Sequence, residues 1–227
     1  MGTSKGYIAP TRIQWTQAKR AVTQMLRNGD SDSIAKAGSK FASAMKADAT
    51  SGSTFTNAAT GILSLARDVA NHGTEFALNQ INRSDLIGKP SAEIWDELLH
   101  EYTHNGATIE DALAADALSK ALENLQITDL EQLGDIPQET LLKEMLVDYV
   151  IVNFDFRYAE KIGKDRTPAD AHRIMEEMQD YIKSNLYEGL SFSDIKSIDF
   201  TNLAGSEYVD KALVDAYSVF EELYTED

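Results

Sequence analysis

Cysteine is absent from the 227-residue chain, which excludes disulfides, thiolate nucleophiles and cysteine-ligated zinc or iron-sulfur sites, and fits a reducing compartment. Long apolar runs are missing as well. Runs such as Val150-Ile151-Val152 are far too short to span a bilayer, and the N-terminus has neither the basic flank nor the apolar core of a secretion signal. The expectation is a cytoplasmic protein with no membrane partner. No G-x-G-x-x-G, G-x-x-x-x-G-K-[ST] or G-x-S-x-G occurs, so phosphate-cradling loops and elbow serines have no support and no cofactor is expected. Self-similarity with the period of a repeat array is also lacking.

Positive charge is scarce, with 21 Lys and Arg against 37 Asp and Glu, but it is not evenly spread. Residues 1–90 carry eleven Lys and Arg against six Asp and Glu, a balance of +5, and residues 91–227 carry ten against thirty-one, a balance of -21. An acidic surface of that size repels phosphates, so broad nucleic-acid binding is not expected, and a basic partner, or the basic half of the same or another copy, suits the acidic half better. A local site in the basic half stays open. The alternative is that the acidic half is a solubilising surface.

With 43% hydrophobic residues there is ample material for a core, and its spacing is helical. Trp15, Ala18, Val22, Met25 and Leu26 predict a first helix over Ile13 to Leu26, stopped by Asn28-Gly29. Asp30 or Ser31 can cap a second helix to about Ala47, and Asp48 to Thr54 reads as a loop. Helices are then expected over Asn57 to Asn71 and Thr74 to Asn82, before Ile87-Gly88-Lys89-Pro90 breaks the pattern where the charge changes sign. Ser91 is expected to cap a helix over Ala92 to His104. Thr108 with Asp111 resembles a capping box for the next, with Ile109, Leu113, Ala117, Ala121, Leu122 and Leu125 as its apolar stripe. These two should pack as an antiparallel hairpin.

A helix from Pro137 to about Ile162 is apolar almost all round between Met145 and Phe156, which predicts the most buried helix of the fold. Thr167-Pro168 opens another to about Leu186, and Ser206 to Leu223 forms the last. The fold class is therefore all-α, a multi-helix bundle behind a flexible or docked N-terminal tail. Its expected parts are a tail over 1–12, a basic helical part over 13–90 and an acidic helical part over 91–227, the latter two either separate or one domain.

One motif could carry chemistry within the body. His100-Glu101-Tyr102-Thr103-His104 fits H-E-x-x-H, in which histidines four apart on one helix face share a zinc ion and the glutamate takes a proton from metal-bound water. A third ligand would have to come from Glu110, Asp116 or Glu123. The alternative is two exposed histidines suiting the negative end of a helix dipole. Trp15 and Trp95 read as core or contact anchors. Without a convincing active site, a protein substrate or adaptor, or an acidic helical scaffold, is expected in preference to an enzyme.

The first ten residues, Met1-Gly2-Thr3-Ser4-Lys5-Gly6-Tyr7-Ile8-Ala9-Pro10, have too little apolar surface to fold by themselves and read as a presented tail. Removal of Met1 would expose the Gly2 amine, whose pKa near 8 leaves about a tenth of it neutral and nucleophilic, with no Cβ to block an enzyme. The myristoylation signature fails at Gly6.

Met1-Gly2-Thr3-Ser4-x-x-Tyr7-x-x-Pro10, together with Asn105-Gly106-Ala107-Thr108-Ile109-Glu110-Asp111-Ala112, resembles QatB-like proteins of the bacterial Qat anti-phage defence system. Where that family usually has glycines after the tyrosine, this chain has Ile8-Ala9. The resemblance implies work beside an ATPase, a QueC-like enzyme and a TatD-like nuclease. It further implies that Gly2 is a modification site for a deazaguanine attached by the QueC-like partner, with Thr3, Ser4, Lys5, Gly6, Tyr7 and Pro10 as partner-binding residues.

Overall fold

The computed structural model describes residues 12–224, so the expected modification site Gly2 and the expected partner-binding residues Thr3, Ser4, Lys5, Gly6, Tyr7 and Pro10 lie outside the described residues. Among the described residues there are ten α-helices and no strand. The first four are α1 (Ile13–Asn28), α2 (Ser31–Asp48), α3 (Thr54–His72) and α4 (Thr74–Gln80). After the Gly88 break come α5 (Ser91–Tyr102), α6 (Ile109–Asn124), the one-turn α7 (Leu130–Leu133), α8 (Gln138–Gly163), α9 (Pro168–Gly189) and α10 (Leu203–Glu222). The all-α expectation holds. No helix is long and apolar enough to cross a membrane among the described residues.

Local chemistry sets most of the boundaries. Gly29 takes φ 67° at the end of α1, where its N–H donates to the Met25 carbonyl, a left-handed cap that an L side chain would strain. Asp30 accepts from the Ser33 amide at the start of α2, and Thr167 accepts from the Asp170 amide at the start of α9. Several starts differ from expectation. α10 begins at Leu203, three residues before Ser206, because Asn202 caps it by accepting from the Ala204 amide. α3 begins at Thr54, three residues early, because Ser53 caps it by accepting from the Thr56 amide. Pro90, not Ser91, is the N-cap of α5, and the Ser91 hydroxyl donates instead to Asp129 at 2.9 Å.

α8 is the central helix, with fifteen buried residues and a fully covered stretch over Glu144 to Phe154. Its predicted burial holds except at the end, where Phe156 is 42% exposed. One core joins the two sides of the Gly88 break: Phe41 of α2 meets Phe154 and Tyr158 of α8 edge-on, with ring centroids at 5.3 and 6.1 Å. The expected α5–α6 hairpin is only a minor contact, for α6 packs chiefly on α8. Asn124 at the end of α6 donates to Asp148 of α8 at 3.0 Å, and the buried face of α6 is Ala114, Ala117, Leu118, Ala121 and Leu122. Ile109, placed in the stripe by its spacing, is 37% exposed, and Leu223 at the end of α10 is 40% exposed.

Candidate functional site

A clamp holds the start of α1. Arg12 pairs through Nε with Asp48 at 2.9 Å and donates through Nη1 to the Ala47 carbonyl at the end of α2. The other Asp48 oxygen accepts from Trp15 Nε1 at 2.6 Å. One carboxylate thus holds both the cap residue and the first buried side chain of α1. The Trp15 ring is covered by Arg157 of α8, 4.8 Å from guanidinium to ring centroid. Arg157 is itself held at 2.6 Å by Asn153, which is buried and donates to the Tyr149 carbonyl.

Grooves open on both sides of this clamp. One of about 1200 Å³ runs between α1 and the end of α8, lined by Trp15, Lys19, Phe156, Arg157, Lys161 and Lys164. The other, about 250 Å³, lies between the α2–α3 loop and α6, with Asp48, Ser53, Ile109, Glu110, Tyr149 and Phe156 on its walls. Phe156 and Arg157 border both. Beneath the second groove Tyr149 stacks on Phe55 at 4.0 Å, and burial pushes its hydroxyl up to about 12, so it stays protonated at neutral pH.

The H-E-x-x-H segment does not form a zinc face. α5 ends at Tyr102, and His104 follows with φ 49° in a 3-10 turn over His104–Gly106, so the helical spacing that would stack the imidazoles is broken. The outward side chains take separate partners. His100 approaches Asp96 at 3.9 Å, Glu101 accepts from Arg83 at 2.8 Å, and His104 lies 3.5 Å from Asp111. What turns inward is the middle of the motif. Tyr102 lies against Gly61, where a Cβ would meet its ring at 3.0 Å, and Thr103 is buried and donates to the Leu99 carbonyl. Among the described residues no three His, Asp or Glu side chains group to hold a metal ion, and Glu110, Asp116 and Glu123 are not brought to the histidines as a set.

Two carboxylates missed at the level of sequence sit in the body of α8. Burial first, then the neighbouring Glu144, pushes Asp148 up to about 6. Burial does the same to Asp155, also to about 6, against the hydrogen bond from Gln179 at 2.7 Å; its other oxygen is buried with no partner. Only an apolar register marks these positions in the sequence, so their burial was not legible as a site.

Asp48 and the central helix lie within one stretch that matches a known family, while Arg12, Trp15 and the α1 wall of the larger groove precede it. The family described as Qat anti-phage system associated protein QatB matches residues 42–220, from within α2 to the last turn of α10. No curated protein and no solved structure matches the chain. With well over half of its length covered, the chain belongs to the QatB family of Qat anti-phage system associated proteins.

Proposed function

We propose that this anti-phage defence component acts as a protein substrate and adaptor, its N-terminal tail being bound and modified by a QueC-like partner. Gly2, freed by removal of Met1, is the acceptor: its neutral amine attacks a deazaguanine carboxyl that the partner has activated with a nucleoside triphosphate, an amide bond forms, the nucleotide leaves from that carbon and the amine gives up a proton. Thr3, Ser4, Lys5, Gly6, Tyr7 and Pro10 are the residues the partner reads. Family membership supplies the defence setting and the expectation of other Qat components. The observation that carries the reading furthest is the clamp at Arg12. Held between Asp48 and the Ala47 carbonyl, Arg12 is anchored beside α1, which supports presentation of the residues before it from that point.

Co-expression with the QueC-like enzyme of the same system, followed by intact-mass and N-terminal peptide spectrometry, tests this directly. A deazaguanine mass increment on the Gly2 peptide is expected, and none when Tyr7→Ala and Thr3→Ala are combined. A chain that keeps Met1, or a bare Gly2 under conditions where the partner is active, overturns the reading.

A further inference from the structure

In a chain with 37 acidic and 21 basic residues, at least nine described Lys and Arg side chains find a carboxylate. Arg83 is bound by Asp85, Glu97 and Glu101, and Lys89, Lys120, Arg173 and Lys211 each pair with a carboxylate four residues away. Six that lack such a partner gather on one face. α1 carries Lys19, Arg20 and Arg27 and has no acidic residue, and the end of α8 with the turn after it adds Lys161, Lys164 and Arg166. None of these six has a carboxylate within ion-pair distance among the described residues. Glu160 and Asp165 lie in the same stretch without closing on any of them.

Neutral acceptors fix part of this cluster in place. Lys161 donates to the Lys19 carbonyl at 2.7 Å and to the Thr23 hydroxyl, and Arg166 donates to the Leu26 carbonyl at 3.1 Å. Such partners orient the cations without neutralising them. Desolvation and the proximity of Lys19 both push the Lys161 ammonium below its ordinary value, as expected where like charges gather. The surface is concave on both flanks of α1, with the groove of about 1200 Å³ on one side and a shelf of about 500 Å³ beside Arg20, Gln24 and Arg27 on the other.

We infer that this face, formed by α1 and the end of α8, docks an acidic polypeptide surface of a partner protein. It does not require that Gly2 be modified. Single-stranded nucleic acid fits less well, because its binders present several aromatic rings on which successive bases stack, whereas of the aromatic residues lining this groove Phe156 alone is well exposed, at 42%, Trp15 being 7% exposed under Arg157 and Tyr158 buried. A duplex would extend past a helix of about 24 Å into the field of the acidic half. A second copy of this chain would bring the repulsion of a net charge of -16.

The test uses the full chain and a fluorescein-labelled twenty-residue polyglutamate peptide, read by anisotropy at low and moderate salt. K19E/R20E/R27E alters only exposed positions, and K19Q/R20Q/R27Q covers the case in which charge reversal harms folding, checked by circular dichroism. Binding should weaken at least tenfold in both triple variants and with added salt, and should change less than twofold in K120E/K196E/K211E. Four results would overturn the inference: no binding to the wild-type chain, equal loss in the control triple, tighter binding of a twenty-nucleotide oligothymidylate than of the peptide, or self-association by sedimentation that K19E/R20E/R27E abolishes.

Discussion

Asp111 joins the starts of two helices. Its carboxylate accepts from the Thr108 amide at 2.9 Å to complete the capping box of α6, and from the hydroxyl of Thr54, the first residue of α3, at 2.7 Å. Burial alone would raise this carboxyl, but the hydrogen bonds from Thr54 and Thr108 outweigh it and hold it below the usual carboxylate value. Asp111→Ala removes both acceptors and is expected to cost about 2–3 kcal/mol, lowering the thermal midpoint by roughly 5–10 °C, with Asp111→Asn between it and the wild type. A midpoint within about 2 °C of the wild type for the alanine variant would show that the two caps do not depend on it. Half of this arrangement is legible in sequence. The spacing of Thr108 and Asp111 announces the box, but Thr54 lies in a Ser-Gly-Ser-Thr run with several possible caps, and nothing local reveals which helix it faces. His104 failed for a related reason: a four-residue spacing implies one helical face only while the helix continues, and α5 ends two residues before it.

Between elements, close approach replaces local pattern. Gly38 in α2 lets the Phe220 ring of α10 rest on the helix backbone, where an added Cβ would meet Phe220 Cζ at 2.6 Å. Gly38→Val is expected to destabilise by about 2–3 kcal/mol despite glycine's poor helix propensity, because the overpacking exceeds the roughly 1 kcal/mol that leaving glycine recovers. If that contact is the cause, Phe220→Leu should couple to it, with the double variant at least 1 kcal/mol less destabilised than the sum in urea denaturation. Additivity within about 0.5 kcal/mol would assign the cost elsewhere. The helices themselves follow from periodicity, and α8 announces its burial by being apolar on nearly every side. Which helices meet does not follow. A short connection suggested α5 against α6, yet Asn124 and the alanine face of α6 fit α8, a pairing set by groups more than twenty residues apart.

For the whole molecule, charge is distributed so that acid suits the fold down to a limit. Asp148 and Asp155 stand near 6 in the folded state against an ordinary 3.8, so folding favours their protonated forms. Their contribution to stability is fully present below about pH 4 and is lost as pH rises through about 6. Groups whose values are lowered, such as Asp111 and Asp199, act in the opposite sense below about pH 4, outside this window. Thermal midpoints should therefore fall as pH is raised from about 5 to about 7.5, and Asp148→Asn with Asp155→Asn should flatten that dependence. A flat or rising wild-type profile would contradict it. The sign change of charge near residue 90 was visible in composition, while the single core that crosses it was not, because composition carries no information about which apolar faces share a partner.

The clamp at Arg12 makes one side chain a common fastener. Asp48, the last residue of α2, holds the N-cap residue of α1 through Arg12 and the first buried ring of α1 through Trp15, so the two helices that meet at the Gly29 turn are also tied at their far ends. Asp48→Ala would release both contacts at once.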